Sequence, residues 1–281
     1  MRLKVLTMSL ALLVFGFAKG QAAECVGDQN IIIGGESGKE LSPTQVFRKN
    51  NGTEPGTLDP HRAEGVPASN ILRDLFEGLV MEDPSGAYIP GAAESWSLSE
   101  DAKTYTFKMR ENGKWSNGDV VTAEDFVYGL RRSVDPATLS NYSSMLYPIK
   151  NARDIVLGKK SSETLGVRAS GPTTLIIELD EPTPYFLSLL THSTTYAAHR
   201  PTIERFGTQF TRPGNLVGNG AFKLKEWRVQ SHIKLVRNTE YWDNENTALE
   251  EVNYYPLDDT NSSFRRYRAQ ELDFTETVLA E

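Results

Sequence analysis

The sequence predicts a mixed α+β fold, in which strands and helices occur in separate blocks. Lys103 to Arg110 alternates apolar and polar residues, which is typical of a strand with one buried face. Asn112-Gly113 and Asn117-Gly118 follow as turns of the kind that join antiparallel strands. The sequence lacks the regular alternation of strands and helices that a doubly wound parallel sheet requires. A half-buried antiparallel sheet is therefore expected rather than a nucleotide-binding fold.

Further strands are predicted where short runs of β-branched and aromatic residues lie between turn residues. They are Gln45 to Arg48, a pair within Val167 to Leu179 around Gly171-Pro172, Asn219 to Leu224, His232 to Val236 and Val252 to Tyr255. The four tryptophans are expected to be buried packing residues, because large aromatic side chains are highly buried on average. They are Trp96, Trp115, Trp227 and Trp242.

Helices are predicted where apolar residues recur with helical spacing. They are Ser69 to Phe76, a helix that begins after Thr122, Pro184 to Leu190, Pro201 to Phe206 and Ser262 to Ala269. Thr122 is predicted to cap its helix. Glu124 and Asp125 would then lie in the first turn, where the helix dipole favours negative charge.

The N-terminus has the pattern of a secretory signal peptide. Arg2 and Lys4 precede an apolar stretch from Val5 to Ala18, and small residues surround a cleavage site expected near Ala22. About 14 apolar residues are too few for a permanent transmembrane helix. Residues 1–22 are therefore expected to be removed on export. A retained membrane anchor and a buried N-terminal helix are the alternatives.

The charge balance argues against nucleic acid as a partner. The chain has 30 basic and 37 acidic residues, and removal of residues 1–22 takes away Arg2, Lys4 and Lys19, which leaves 27 basic residues. A phosphate backbone demands a clustered basic surface, and the sequence shows no such cluster. Nucleic-acid binding is therefore not expected.

Neither a metal site nor a catalytic site is expected. The four histidines lack the spacing of metal ligands. They are His61, His192, His199 and His232. The sequence contains no Gly-x-Ser-x-Gly nucleophile elbow. Cys25 is the only cysteine, which excludes an internal disulfide, and Glu24 immediately before it disfavours a lipid anchor. No cofactor is expected, and the chain is predicted not to be an enzyme.

Leu58 to Pro67, followed by Asn70 to Leu79, resembles the opening signature of the family 5 extracellular solute-binding proteins. These are the periplasmic oligopeptide-binding proteins that feed ABC importers. Four more segments resemble the family in the family's own order. They are Gly91 to Trp96, Lys114 to Val127, Asn215 to Phe222 and Glu240 to Trp242. One such segment would be weak evidence, but five in order extend the resemblance over nearly the whole mature chain.

The resemblance implies a lobe I like that of type II periplasmic binding proteins, with a smaller α+β domain inserted into it. Residues 23–77 and 202–281 would form lobe I, and residues 78–201 would form the inserted domain II. Lobe III is expected to be absent, because the chain stops after about half the length of such receptors. A clamshell needs two jaws to exclude water, so this chain is expected to bind peptides weakly or not at all.

The resemblance also implies that an extended peptide lies between two lobes and pairs its main chain with the protein. The residues that match ligand-binding positions of the family are Glu64, Gly65, Val66, Tyr142, Asn219 and Gly220. Glu64–Val66 match the segment beside the peptide backbone, where Gly65 permits close approach. Tyr142 matches a cleft-lining aromatic ring, and Asn219-Gly220 the turn at the cleft floor. Each of these binding roles has a structural alternative. Gly65 and Val66 would only shape a loop before Pro67, Tyr142 would be an ordinary core residue, and Asn219-Gly220 would form only a tight turn.

The implied partners are oligopeptides and an inner-membrane ABC permease, and the protein is expected to be a periplasmic monomer. Three alternatives remain at this point. The first is a receptor of the same fold for a murein peptide, a dipeptide, a nickel chelate or an oligosaccharide. The second is an exported hydrolase, which would turn over chromogenic substrates. The third is a structural or chaperone-like role for an exposed half-receptor.

Overall fold

The computed structural model describes residues 41–276. The expectations for the signal peptide and for Cys25 concern residues outside this range. Residues 277–281 also lie outside it. The strands are β1 (Val46–Asn50), β2 (Val80–Glu82), β3 (Tyr88–Pro90), β4 (Ala93–Leu98), β5 (Thr104–Met109), β6 (Val167–Ala169), β7 (Thr174–Glu178), β8 (Phe222–Arg228), β9 (His232–Arg237) and β10 (Glu251–Tyr255). The helices are α1 (Gly65–Leu75), α2 (Ala123–Val134), α3 (Ala152–Val156), α4 (Phe186–Leu189), α5 (Arg200–Phe206) and α6 (Thr260–Arg268). Within the described range, no helix has both the length and the apolar character needed to cross a bilayer.

The first sheet joins the two ends of the described chain. Its strand order is β1-β10-β9-β8, with β1 parallel to β10 and the other pairs antiparallel. Phe47 of β1 lies opposite Val252 of β10. Helix α1 packs against β8 and buries Ile71, Leu72 and Leu75. This sheet therefore supports the helix that begins at the predicted ligand segment.

The second sheet is antiparallel throughout, with the order β4-β5-β7-β6. Tyr105, Phe107 and Met109 of β5 are buried, which confirms the predicted alternation of this strand. Helix α2 packs on β6 and β7. The Asp125 carboxylate accepts hydrogen bonds from the Thr122 N–H, at 2.7 Å, and from the Thr122 hydroxyl, at 2.9 Å, so Thr122 begins this helix as predicted. The mixed α+β class is confirmed.

Two predictions about local structure are wrong. Helix α1 begins at Gly65, four residues before the predicted start at Ser69. Pro67 is compatible with this start. The backbone N–H groups of the first helical turn have no intrahelical acceptor, so the missing N–H of a proline costs no hydrogen bond there. Helix α4 is confined to Phe186–Leu189 and is shorter than predicted.

The prediction that all four tryptophans are buried holds only for Trp115, which has no exposed surface. The other three are half-buried. Trp227 donates its indole N–H to the Glu54 carboxylate at 2.5 Å, and Trp242 donates to Glu77 at 2.8 Å. An indole ring that must reach a polar partner is commonly found at the edge of a core, with one side apolar and the other polar.

Candidate functional site

The segment Glu64–Val66 lies on the surface, at the start of α1. All three residues are exposed, and Val66 keeps 60% of its surface accessible. Gly65 has φ +78°, in the left-handed region that favours glycine. Glu64 is the N-cap, but its side chain forms no capping hydrogen bond. Within residues 41–276, the N–H groups of Gly65 and Val66 have no acceptor, so two backbone donors face solvent.

Helix α1 continues this surface as a stripe of residues on its outer face. Val66, Asn70 and Arg73 lie at positions i, i+4 and i+7, which share one face of a helix. The opposite face is the buried one. Seven residues of helix correspond to about 10 Å along the axis. The stripe therefore runs from the uncapped first turn to the exposed Arg73 in the last turn.

Tyr142 lies at the surface rather than in the core. Its ring meets the His192 ring edge-on, with centroids 4.9 Å apart and planes at 66°. Both residues are half-buried. The Thr194 N–H donates to His192 Nδ1 at 3.2 Å, so a neutral His192 ring carries its proton on Nε2. Burial, followed by the positive charge of Arg73, lowers the pKa of His192 and keeps the ring neutral near pH 7.

Asn219 and Gly220 are buried beneath the C-terminal end of α1. The Asn219 side chain accepts from the Glu77 N–H at 3.0 Å and donates to the Glu77 carbonyl at 3.0 Å. The Gly220 N–H donates to the Leu75 carbonyl at 3.0 Å. A Cβ on Gly220 would lie 2.5 Å from the Asp74 carbonyl oxygen, so only glycine fits at this position without a clash. The structure therefore brings Glu64–Val66 and Tyr142 to the surface, whereas Asn219 and Gly220 fix the end of α1.

Sequence reasoning missed the buried carboxylate of Glu77. It accepts hydrogen bonds from the Tyr241 hydroxyl at 2.5 Å and from the Trp242 indole at 2.8 Å. The Arg110 guanidinium stacks on the Trp242 ring at 3.5 Å. Burial raises the pKa of Glu77 to about 7, against the opposing effect of the hydrogen bonds and of Arg110. Both Glu77 and Trp242 lie in segments of the family resemblance, but nothing in the sequence indicated that they meet.

A second buried cluster contains His61. Arg132 forms two hydrogen bonds to the Asp59 carboxylate, at 2.7 and 2.8 Å, and a third to His61 Nδ1 at 2.8 Å. His61 Nε2 then donates to the Tyr196 carbonyl at 3.0 Å. Burial, followed by the charge of Arg132, lowers the pKa of His61 to about 4. His61 is therefore a neutral structural residue at physiological pH.

Two cavities of the structure do not include any of the predicted ligand residues, whereas a small crevice beside Glu77 and Trp242 is lined in part by Asn219. One, of about 620 Å³, lies between α2, α5 and the loop that carries Asp59 and Arg62. The other, of about 590 Å³, is lined by Arg62, Leu139 and Trp227 among others. Among residues 41–276, no three His, Cys, Asp or Glu side chains are grouped so that they could hold a metal ion. Glu64–Val66 and Tyr142 line neither of these two larger cavities.

Comparisons with known proteins agree with the resemblance seen in the sequence. The family described as "Bacterial extracellular solute-binding proteins, family 5 Middle" matches residues 87–281. The periplasmic oligopeptide-binding protein OppA of Salmonella typhimurium is 46% identical over 241 residues, which are 85% of this chain and 44% of that protein. The chain therefore spans about half the length of the curated relatives it matches.

Solved structures give the same result for the fold. The structure of the Escherichia coli murein tripeptide binding protein MppA matches with a TM-score of 0.82 at 41% identity, over 84% of this chain and 47% of that chain. Haemophilus influenzae OppA in complex with RPPGFSPFR matches with a TM-score of 0.83 at 42% identity, over 85% of this chain and 47% of that chain. The matched family consists of solute-binding proteins, which confirms the expectation that the chain is not an enzyme and removes the hydrolase alternative. The chain belongs to the bacterial extracellular solute-binding proteins of family 5.

Proposed function

We propose that this chain contributes one side of the peptide-binding cleft of an exported receptor, which delivers oligopeptides to an inner-membrane ABC permease. The observation that carries the proposal is the uncapped first turn of α1, where the N–H groups of Gly65 and Val66 face solvent. Such donors suit peptide carbonyls, which every sequence offers alike. The names of the relatives support this ligand class, since OppA is an oligopeptide-binding protein and MppA a murein tripeptide binding protein.

The ligand in this proposal is an extended peptide that lies along the exposed stripe of α1. Its carbonyl groups accept from Gly65 and Val66, and its side chains pass over the ring of Tyr142. Asn219 and Gly220 act from beneath, because they hold the end of the helix in place. Main-chain pairing of this kind tolerates many ligand sequences.

The affinity of this chain alone is expected to be weak. A net contribution of about 0.5–1.5 kcal/mol per hydrogen bond means that three or four bonds supply only a few kcal/mol. A dissociation constant of 1 μM requires about 8 kcal/mol. The open surface around Glu64–Val66 adds little apolar burial to this total. We therefore expect dissociation constants well above micromolar.

The proposal includes the division into lobe I and domain II, and the arrangement of the sheets supports it. Strands β1, β8, β9 and β10 form one sheet, and their residues come from 23–77 and 202–281, the two stretches assigned to lobe I. The second sheet and the β2–β3 hairpin lie within 78–201, the proposed domain II. The proposal includes a periplasmic location after export and a monomeric receptor. The word periplasmic in the names of OppA relatives supports this location.

Nuclear magnetic resonance with ¹⁵N-labelled protein tests the proposal, because it detects millimolar binding. We expect the amide resonances of Gly65 and Val66 to shift on addition of tri-alanine or penta-alanine. Val66→Pro removes one donor and should weaken binding about tenfold, whereas the matched Val66→Ala keeps the N–H and should not. A concentration of about 10 mM peptide is high enough to populate complexes with millimolar dissociation constants. If neither amide resonance shifts at that concentration, the proposal is contradicted.

A receptor for murein peptides is a second candidate, favoured by the match to the MppA structure. It uses the same surface and differs in the ligand. Native mass spectrometry of ligands that stay bound during purification would separate the two candidates. Peptides of mixed sequence would favour an oligopeptide receptor, and peptides with D-amino acids would favour the murein ligand.

A further inference from the structure

The cavity of about 590 Å³ carries positive charge that the described part of the chain does not neutralise. Arg62 and Arg212 both line it and are exposed, and neither guanidinium has an ion pair or a hydrogen bond among residues 41–276. Glu54 is the only acidic residue among the described residues of the lining. Its carboxylate oxygens accept from the Trp227 indole at 2.5 Å and from the Gln230 N–H at 3.0 Å. Two unpaired cations thus share one cavity, although the whole chain has a net charge of −7.

Apolar side chains line the same cavity. Leu139 and Val229 keep 69% and 64% of their surface exposed, and the half-buried Trp227 lies in the wall with them. The two hydrogen bonds to Glu54 hold the turn between β8 and β9, which carries Val229, in a fixed position beside the cavity. Because removal of apolar surface from water is favourable, a ligand with an apolar body would be stabilised by covering these side chains.

Leu139 also has an uncommon backbone conformation for a leucine. Its φ is +58° and its ψ is +46°, in the left-handed region. A residue with a Cβ is disfavoured there, because the Cβ comes too close to the following carbonyl oxygen. The turn that ends at Leu139 is held by the Asp135 carboxylate, which accepts from the Ala137 N–H at 2.9 Å. Strained residues that the surrounding structure fixes in this way are concentrated at binding sites.

We propose that this cavity is a second ligand site, which binds a small amphiphilic anion. The carboxylate or phosphate group of the ligand contacts Arg62 and Arg212, because a guanidinium matches the geometry of both anions. The apolar chain of the ligand covers Leu139, Val229 and the Trp227 ring. The volume of about 590 Å³ lies within the range of about 300–1,000 Å³ that is common for small-molecule sites.

The neighbouring cavity of about 620 Å³ does not offer the same chemistry. The two cavities meet at Arg62, which lines both. The other arginines that line the larger cavity are all in ion pairs. The pairs are Arg132 with Asp59, Arg200 with Glu204 and Arg131 with Glu163. The anionic group is therefore assigned to the smaller cavity, where Arg212 is the second unpaired cation. The inference does not rest on the proposed function, because the residues proposed to contact the peptide line neither cavity.

The test is an NMR titration of the ¹⁵N-labelled 281-residue chain, followed at the Trp227 indole N–H. The probes are octanoate, octyl phosphate and octanol, which share one alkyl chain and differ in the head group. We expect at least one of the two anions to bind about tenfold more tightly than octanol, because the neutral head group makes no charge-assisted hydrogen bond. Arg62→Gln and Arg212→Gln should each weaken the binding of that anion about tenfold and leave octanol unchanged. Arg268→Gln is the matched control, since Arg268 is an exposed arginine of α6 that lies over the Phe264 ring and lines neither cavity.

The two anionic probes separate the possible head groups. Tighter binding of octanoate assigns the site to carboxylates, and tighter binding of octyl phosphate assigns it to phosphate monoesters; either result, or equal binding of both, supports the inference. The inference is overturned if octanol binds as tightly as the anions, if both arginine variants bind the anions like the wild type, or if no probe shifts the indole resonance.

A titration with tri-alanine distinguishes this site from the peptide surface. If tri-alanine shifts the Trp227 indole resonance and is displaced by the anion, the cavity belongs to the peptide site and the inference is overturned. If tri-alanine shifts only the Gly65 and Val66 amides while the anion shifts the indole, two separate sites are supported. Failure of the anion to bind leaves the proposed function standing, because that function is tested at the two amides.

Discussion

Replacement of Glu77 by glutamine should change how the stability of the protein depends on pH. The Glu77 carboxylate is buried, and burial raises its pKa from the ordinary value of 4.5 to about 7. Between these values the folded protein holds a proton that the unfolded chain has lost. The stability that this proton contributes is present below about pH 4.5 and is lost as the pH rises through 7. Glutamine does not ionise, so Glu77→Gln removes this loss.

The magnitude follows from the size of the shift. A shift of about 2.5 pKa units corresponds to about 3 kcal/mol, at 1.36 kcal/mol per unit. The variant should therefore gain about 2–3 kcal/mol relative to the wild type between pH 5 and pH 8. Glutamine can also keep both contacts: its carbonyl oxygen accepts from the Trp242 indole, and its amide donates to the Tyr241 hydroxyl. Few new unsatisfied groups are then created.

Urea unfolding followed by tryptophan fluorescence, at pH 5, 6, 7 and 8, measures the effect. The informative quantity is the difference in unfolding free energy between variant and wild type at each pH, because this difference cancels the titration of Asp74 and His61. Glu204→Gln is the control, since Glu204 forms only an exposed pair with Arg200 and such pairs contribute little. A difference that stays constant from pH 5 to pH 8 would refute the argument that a buried ionisation causes the slope.

Two further predictions concern buried residues. Gly220→Ala should destabilise the protein by about 2 kcal/mol or more in the same urea assay, because the new Cβ meets the backbone of α1 at 2.5 Å. Gly56→Ala is the control, since no atom lies within 4 Å of that Cβ, and equal effects of the two variants would contradict the packing argument. The His61 ring should titrate by NMR with a midpoint near 4. Because the pKa of His61 is lowered in the folded protein, the free energy of unfolding decreases by up to about 3 kcal/mol as the pH falls from 6.5 through 4. A titration midpoint of the His61 ring above about 6 would contradict this prediction.

The sequence predicts local structure well where side-chain periodicity and turn residues act within a few positions. The alternation of β5 and the capping of α2 by Thr122 are confirmed for this reason. The start of α1 was missed because Gly65 and Pro67 are typical of loops, although both are compatible with a first helical turn. The pairing of β1 with β10 joins residues about 200 positions apart, and periodicity carries no information on such partners.

The candidate site shows the same limit. Family resemblance assigns Glu64–Val66 and Tyr142, and both lie at the surface. It could not show that Asn219 is a structural partner of Glu77, because the two residues are 142 positions apart and each is an ordinary polar residue in the sequence. Nor could it show that α1 packs against the turn 193–195, since that contact joins segments far apart in the chain.

Helix α1 explains how buried and exposed residues can serve one binding surface. Its first turn carries the free N–H groups of Gly65 and Val66, and its last turn carries Arg73. The chain directly after that last turn is fixed by Asn219 and Gly220 through hydrogen bonds to Glu77 and to the carbonyl of Leu75. A shift of this end would displace the last turn of α1 while the first turn stayed in place. The buried residues would therefore affect peptide affinity by fixing the position of the stripe, and a substitution that loosens Asn219 should weaken peptide binding although Asn219 itself is buried.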